Sequence, residues 1–193
     1  MDNLKEMFNR TELLLGEDAM KKIFSKKIIV FGIGGVGSWC AESLLRSGLS
    51  YITIVDCDKI SLSNINRQIQ ATSKTIGLSK TTALKSRLLD INPDAKIMEI
   101  CELYNKENHE KFEIHKYDYI IDCIDSLSNK INLIREASKL DSVFLSSMGA
   151  SLKIDPTRVK VGKFWDIKGC PFAAIIRKRI RKGELPAKDF YCV

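Results

Sequence analysis

The stretch "KIIVFGIGGVGSWCAESLLRSG", residues 27–48, predicts a buried strand, a glycine-rich loop and a helix, in that order. The apolar run ends at Phe31, and glycines follow at positions 32, 34, 35 and 37. Glycines between a strand and a helix allow a tight turn and let backbone N–H groups approach phosphates at the helix N-terminus. We therefore predict that a nucleotide binds against this loop, with contacts from Gly32, Gly34, Gly35 and Gly37.

Strand and helix patterns alternate along the rest of the chain. Strand-like runs cover residues 26–31, 51–56, 95–101, 117–125, 142–148 and 157–164, and helical patterns cover 36–48, 78–92, 105–114, 128–140 and 171–183. Such alternation favours right-handed crossovers and a mostly parallel sheet. The predicted fold class is α/β, of the Rossmann-like, doubly wound type, with helices flanking the sheet.

A single domain, residues 1–193, is predicted because the chain contains no repeat and no low-complexity linker. The last seven residues, "AKDFYCV", form an apolar, strand-like run with nothing after it to cover it. Because a sheet domain rarely ends on an unpaired apolar strand, we expect the chain to be truncated at its C-terminal end.

Composition and charge exclude several classes of protein. The 45% hydrophobic and 28% charged residues are typical of a globular protein, and glycines interrupt the most apolar segment, so no membrane span is predicted. Six cysteines without a Cys-x-x-Cys pair favour free thiols in a cytoplasmic protein.

The net charge is +7, and residues 168–189 hold seven Lys/Arg against two Asp/Glu. This local excess favours a polyanionic partner, with a solvated helix face as the alternative.

Polar residues after the second predicted strand distinguish between kinds of nucleotide. Asp56 ends that strand about 20 residues after the glycines, where an acid accepts hydrogen bonds from a ribose. Asn64, Arg67 and Lys80 then add one amide and two cations. An enzyme that breaks a phosphoanhydride needs cations to neutralise charge on the phosphoryl oxygens, whereas an NAD-linked oxidoreductase does not. The cluster therefore favours ATP chemistry, although each cation alone is equally consistent with a surface salt bridge.

A second acidic motif, "IIDCIDS" at residues 120–126, ends another predicted strand. Asp125 lies where a nucleotide-bound Mg²⁺ is commonly held in parallel α/β sheets, and Asp122 precedes it by three residues. The alternative role for Asp125 is to cap the helix that follows. We predict Asp125 as the magnesium ligand.

Four motifs together resemble the ThiF/MoeB/HesA family of ATP-dependent activating enzymes, which is related to the adenylation domains of ubiquitin-activating enzymes. They are "GIGGVGSW" (32–39), "DCDKISLSNINRQ" (56–68), "GLSK" (77–80) and "DCIDS" (122–126). Besides the glycines and Asp56, the resemblance implies ATP contacts from Asp58, Ser63, Asn64, Arg67, Gln68 and Lys80. It assigns catalytic roles to Arg67, Lys80, Asp125 and Arg10, and places Arg10 against the phosphates of the neighbouring subunit in a homodimer.

Within this family, residues 146–182 resemble the branch that activates the carboxylate of threonylcarbamoyladenosine in tRNA and closes it into a ring. The resemblance leaves open whether the intermediate is an acyl-adenylate or an acyl phosphate. Other branches carry a zinc-binding Cys-x-x-Cys near this point, whereas Cys170 stands alone, so structural zinc is not expected. A helix over residues 171–183 would pack Phe172, Ile176 and Ile180 inward. Its cations would then face the tRNA: Arg177, Lys178, Arg179, Arg181 and Lys182.

Three alternative functions remain open from the sequence. The first is adenylation of the C-terminus of a ubiquitin-like sulfur carrier, which would also make a sulfur-transfer protein a candidate partner. The second is an NAD-linked oxidoreductase, which Asn64, Arg67 and Lys80 disfavour. The third is a nucleotide-binding scaffold without catalytic activity.

Overall fold

Strands and helices alternate in this computed structural model, which describes residues 6–193. The chain divides into two compact units, with the boundary between Leu103 and Tyr104. The first unit contains α1 (Asn9–Leu15), α2 (Glu17–Ser25), β1 (Lys27–Phe31), α3 (Gly37–Arg46), β2 (Tyr51–Val55), α4 (Lys80–Ile91) and β3 (Lys96–Ile100). The second contains β4 (Tyr119–Asp122), α5 (Leu127–Ser138), β5 (Val143–Ser146), β6 (Gly162–Lys163), α6 (Pro171–Arg181) and β7 (Tyr191–Cys192).

In the first unit, three parallel strands lie in the order β3-β2-β1. The register pairs Phe31 with Val55, so β1 and β2 end side by side. Four of the five residues of each of these strands are buried, as expected for apolar, β-branched runs in a covered parallel sheet. The loops that follow β1 and β2 therefore leave the sheet at the same edge.

Helices α3 and α4 of this unit are joined by a buried carboxylate. Glu42 of α3 accepts hydrogen bonds from the Nε atoms of Arg46, at 2.9 Å, and of Arg87 on α4, at 2.6 Å. Burial by itself would raise the pKa of Glu42, but the bonds from the two arginines outweigh it and lower that pKa. These bonds thereby hold α3 against α4.

In the second unit the strand order is β4-β5-β7-β6. The pairs β4–β5 and β5–β7 are parallel, and the short β6 is antiparallel to β7. In the core of this unit the Phe190 ring stacks on Phe164 at a centroid distance of 4.8 Å and meets Phe144 in a tilted arrangement at 5.1 Å. The prediction of a mostly parallel α/β fold with flanking helices is confirmed.

Two sequence predictions about this unit were wrong in detail. The C-terminal run is not an unpaired strand, because Tyr191–Cys192 pairs with β5 on one side and β6 on the other. The alternating run 157–164 forms a strand only at Gly162–Lys163, and a short 3₁₀ helix, Pro156–Arg158, occupies the start of the run. The prediction of one domain, truncated at its end, stays a prediction.

The prediction of a polar helix over residues 105–114 was also wrong, because these residues do not form an α-helix. They form parts of two 3₁₀ helices, His109–Phe112 and Ile114–Lys116, joined at Glu113 in a left-handed conformation. None of the helices between residues 6 and 193 combines the length and the apolar composition that a membrane crossing requires.

Candidate nucleotide site

The glycine loop after β1 has the geometry of a phosphate-binding turn. Gly32 adopts φ +79°, which favours glycine, and its N–H donates to the carbonyl of Val55 at 2.8 Å. Gly37 begins α3, whose first turn has no side-chain cap. Within the first turn, the N–H of Ser38 donates to the carbonyl of Gly34 at 3.2 Å. The positive end of the helix dipole at this N-terminus favours a bound anion.

Gly35 is required for a different reason, because the side chain of Arg67 crosses over it. A Cβ at position 35 would lie 3.1 Å from Cγ and 3.2 Å from Cδ of Arg67, closer than an ordinary carbon–carbon contact. At Gly34 the nearest side-chain atom would be 3.8 Å away, an ordinary contact. The glycine loop and the predicted catalytic arginine therefore pack against each other.

Asp56 connects this loop to the end of β2. One carboxylate oxygen accepts from the N–H of Ile33 at 3.0 Å, and the other accepts from the N–H of Asp58 at 2.9 Å. Burial raises the pKa of Asp56, and the two N–H donors and Lys80, whose Nζ is 3.6 Å away, oppose that rise. The predicted ribose acceptor thus lies directly against the predicted phosphate loop.

Lys80 is brought to the site by the start of α4. Ser79 caps this helix by accepting from the N–H of Thr82, and the Lys80 side chain is only 8% exposed. Its Nζ donates to Asp58 at 2.6 Å, and this bond lowers the pKa of Asp58. In the free protein the ammonium group is therefore neutralised by the acids that follow β2.

The same acids do not form a metal site of their own. Asp56, Cys57 and Asp58 are close enough together to offer three ligand atoms. However, the Lys80 ammonium group already lies within 3.6 Å of one carboxylate and 2.6 Å of the other. A divalent cation there would meet a positive charge at contact distance.

A short 3₁₀ helix, Leu62–Asn64, positions the segment before Arg67. The N–H of Ser61 donates to the side chain of Asn64 at 3.0 Å, in a capping box that fixes the turn. Asn64 is buried, whereas Ser63 is exposed, with its hydroxyl 3.0 Å from that of Ser61. Asn64 therefore has a structural role in this turn, and its ATP contact stays a prediction.

Arg67 is exposed and held by its neighbours. Its NH1 donates to the carbonyl of Ser63 and to the side chain of Asn66, both at 3.0 Å. Trp39, in the first turn of α3, donates from Nε1 to the Arg67 carbonyl at 2.9 Å. Sequence reasoning missed Trp39, because the signal for this contact is a long-range approach and not a local pattern.

Two buried glutamines lie next to the glycine loop, and one of them is bonded to it. Gln70 donates from Nε2 to the carbonyl of Ile33 at 2.9 Å. Gln68 is buried, and its amide oxygen has no donor within the described residues. Ser38 also supports the loop, since its hydroxyl donates to the Gly34 carbonyl at 2.6 Å. Among Gln68, Gln70 and Ser38, only Gln68 was a predicted site residue.

In the second unit, Asp125 and Asp122 have different surroundings. Asp122 is fully buried and paired with Lys130, whereas Asp125 is exposed in the turn after β4 and makes no ion pair or hydrogen bond within residues 6–193. The N-cap of α5 is Ser126, not Asp125. A free carboxylate at a strand end fits Mg²⁺, which binds one or two carboxylates together with phosphate oxygens.

The remaining predicted residues lie outside these clusters. Arg10 is exposed on α1, a helix that the sequence analysis did not predict. On α6, Ile176 and Ile180 are buried as predicted, Phe172 is half-buried and Ala173 joins the buried stripe.

The five cations of α6 divide into two groups. Arg177 donates to the carbonyl of Phe164 at 3.1 Å, and the Arg181 guanidinium lies 5.4 Å from the centre of the Trp165 ring. The other three are exposed and have no ion-pair partner in the described part of the chain: Lys178, Arg179 and Lys182. Their spacing places these three cations on one face of the helix. This face is called the unengaged face, because its cations form no ion pair within the described residues.

The ThiF family model matches residues 8–172, and the chain belongs to that family. A tRNA threonylcarbamoyladenosine dehydratase of Bacillus subtilis is 38% identical over 175 residues, which are 91% of this chain and 69% of the relative. More distantly, an adenylyltransferase and sulfurtransferase MOCS3 of Drosophila willistoni is 29% identical over 140 residues, 72% of this chain and 30% of that protein.

The fold matches a solved structure over its whole length. The crystal structure of Escherichia coli tRNA N6-threonylcarbamoyladenosine dehydratase, TcdA, in complex with ATP has a TM-score of 0.94 and 32% identity to this chain. The match covers 100% of this chain and 82% of that one. It confirms the prediction of a Rossmann-like fold and of membership in this family.

Proposed function

We propose that this protein is an ATP-dependent tRNA threonylcarbamoyladenosine dehydratase. A carboxylate acylates poorly until one of its oxygens becomes part of a phosphorylated leaving group. ATP supplies that group, and attack within the modified nucleoside then closes the ring with net loss of water. No protein nucleophile is needed for this sequence of steps.

The observation that carries the proposal is the joint packing of the glycine loop, Asp56 and Arg67. Asp56 bonds to the N–H of Ile33 within the loop, and Arg67 crosses Gly35 in the same loop. A ribose acceptor, a phosphate cradle and a cation are thereby brought together in one unit. The proposed substrate, threonylcarbamoyladenosine in tRNA, is taken from the relatives that are named for this reaction. One of them was solved in complex with ATP.

Catalysis in this proposal depends on stabilising charge on the transferring phosphoryl group. Arg67 and Lys80 would provide the cations, and ATP binding would draw Lys80 from the acids that hold it at 2.6 Å and 3.6 Å. Asp125 would hold Mg²⁺, which neutralises phosphate oxygens when bound. The intermediate, acyl-adenylate or acyl phosphate, is left open.

The proposal includes a homodimer in which Arg10 of the partner subunit completes each site. The exposure of Arg10 on α1 supports this arrangement. Mixing Arg10→Ala with Lys80→Ala subunits should restore activity, because one hybrid site carries neither change. Lack of complementation at any mixing ratio would show that Arg10 acts within its own chain or not at all.

For tRNA, we propose that α6 contacts the phosphate backbone through its unengaged face. Three charge-removing substitutions on that face should lower tRNA affinity and reduce the slope of log K against log salt by about two to three units, since each contact releases counterions. These are Lys178→Ala, Arg179→Ala and Lys182→Ala. ATP affinity should not change.

A matched control removes the same charge elsewhere. Exposed lysines outside α6 serve this purpose in the triple variant Lys22→Ala, Lys74→Ala and Lys106→Ala. If both triple variants reduce the salt slope equally, net charge and not α6 determines binding. Arg177 and Arg181 are left intact because their removal would also disturb the 3₁₀ helix Phe164–Asp166.

The experiment that tests the function compares substrates. ATP consumption should rise with tRNA that carries threonylcarbamoyladenosine and stay at its basal rate with the same tRNA lacking that modification. The alternative, adenylation of a ubiquitin-like sulfur carrier, is favoured by the MOCS3 similarity and predicts stimulation by the carrier protein instead.

A sulfur-transfer protein partner stays a prediction. A cytoplasmic location is proposed with the tRNA substrate, and the six free cysteines support it.

A further inference from the structure

A fully buried ion pair lies next to the turn that carries Asp125. Lys130 of α5 donates from Nζ to Asp122 at 2.7 Å, and neither side chain is exposed at all. Removing two charges from water is expensive, and replacing a buried pair by apolar side chains is often neutral or stabilising. Stability alone therefore does not account for this pair.

The geometry around Asp122 indicates another role. One carboxylate oxygen accepts from Lys130 and from the hydroxyl of Ser146, at 2.6 Å. The other oxygen accepts from the N–H of Ile124 at 3.0 Å, inside the turn that precedes Asp125. The ion pair thus fixes the direction of a carboxylate whose remaining oxygen sets the backbone of that turn.

Backbone hydrogen bonds hold both ends of the same turn, one from within α5 and one from the residue that follows β5. The N–H of Lys130 donates to the carbonyl of Ser126 at 2.9 Å, and the carbonyl of Asp122 accepts from the N–H of Ser147 at 2.8 Å. Both ends of residues 123–126 are therefore fixed through Asp122 and Lys130. Asp125, which has no partner within residues 6–193, depends on this frame for its position.

We propose that Asp122 and Lys130 are positioning residues that hold the turn at residues 123–126 and thereby keep the Asp125 carboxylate in the orientation in which it binds Mg²⁺. The inference rests on the proposed magnesium role of Asp125. It assigns the two acids of the motif to different tasks: Asp125 binds and Asp122 orients. Removing such supporting groups typically lowers metal affinity or activity about 10–100-fold.

Two double variants separate positioning from simple stability. Asp122→Asn with Lys130→Met removes the ion pair but leaves an amide oxygen to accept from Ile124. Asp122→Leu with Lys130→Met removes the ion pair and the acceptor together. If the leucine is not accommodated, Asp122→Ala with Lys130→Met removes the same acceptor with a smaller side chain.

The first measurement does not depend on activity. Amide hydrogen exchange at Ile124 should be as slow in the asparagine double variant as in the wild type, and faster in the leucine or alanine one. Binding of Mn²⁺ with a non-hydrolysable ATP analogue, followed by electron paramagnetic resonance, should weaken about tenfold only where Ile124 has lost its acceptor. The Mg²⁺ concentration for half-maximal ATP consumption should rise by the same factor.

Asp125→Ala is the reference that separates the two ideas. If it leaves the Mn²⁺ and Mg²⁺ dependence unchanged, the magnesium role of Asp125 is wrong, and the positioning proposal is overturned with it. If Asp125→Ala weakens metal binding but both double variants bind like the wild type, or lose affinity equally, only the positioning proposal is overturned.

Discussion

Gly35→Ala should damage catalysis without damaging the fold, because the new methyl group meets one flexible side chain. Its Cβ would lie 3.1 Å and 3.2 Å from the Cγ and Cδ atoms of Arg67, against an optimum of about 3.5–4.0 Å. Arg67 is exposed and can shift, and Gly35 does not have a positive φ. We therefore expect the free energy of unfolding to change by less than about 1 kcal/mol.

The same shift moves the guanidinium group away from the carbonyl of Ser63, to which it donates at 3.0 Å. Misplacement of a catalytic group by about 1 Å can cost up to about 100-fold in rate. For Gly35→Ala we expect kcat/KM for ATP consumption to fall about 10–100-fold, which corresponds to about 1.4–2.7 kcal/mol of transition-state stabilisation.

A double-variant cycle with Arg67→Ala tests whether the loss passes through the arginine. If it does, Gly35→Ala with Arg67→Ala should be within about twofold of Arg67→Ala alone, because the displaced group is already absent. Steady-state kinetics of the four proteins, with thermal denaturation as a fold control, give the answer. Multiplicative losses would refute the reasoning and show that the methyl group acts directly on the nucleotide.

Three further outcomes are expected. Asp56→Ala should weaken ATP binding about tenfold or more by calorimetry, since the ribose loses a charged acceptor; unchanged affinity would contradict that assignment. The pKa of Glu42 is lowered in the folded protein, so ionised Glu42 stabilises the fold above the pKa of the unfolded state, and this stabilisation is lost as pH falls through the pKa of the folded state. The free energy of unfolding of Glu42→Gln should therefore fall less steeply in acid than that of the wild type. Equal slopes for the two proteins would contradict this. Gly48→Ala should lower the free energy of unfolding by about 1–3 kcal/mol in denaturant titrations, because φ at Gly48 is +108° and the new Cβ would lie 2.9 Å from Met20. The control is Gly77→Ala, since a Cβ there would have no atom within 4 Å. A smaller loss for Gly48→Ala than for Gly77→Ala would argue against this packing.

The sequence predicts those parts of the structure whose signals are local. The strand, glycine loop and helix over residues 27–48 follow from an apolar run and glycine spacing, and the structure has β1 and α3 there. The helix α4, which begins at Lys80, lies within the helical pattern predicted over residues 78–92. Each of these depends on neighbours within a few residues.

Other features depend on contacts between distant residues. Trp39 and Arg67 are 28 positions apart, and no periodicity indicates their bond. The sequence alone does not show that Asp122 is buried and paired with Lys130, whereas Asp125 is exposed. The run at 157–164 alternates like a strand, but a strand needs a partner, and β7 pairs with only two of its residues.

The central claim is that this protein dehydrates threonylcarbamoyladenosine in tRNA at the expense of ATP. The most direct test is mass spectrometry of nucleosides from modified tRNA after incubation with the protein, ATP and Mg²⁺. The account predicts ATP-dependent loss of one water from threonylcarbamoyladenosine, abolished by Lys80→Ala. Unchanged nucleoside in the presence of wild-type protein that adenylates a ubiquitin-like carrier would contradict it.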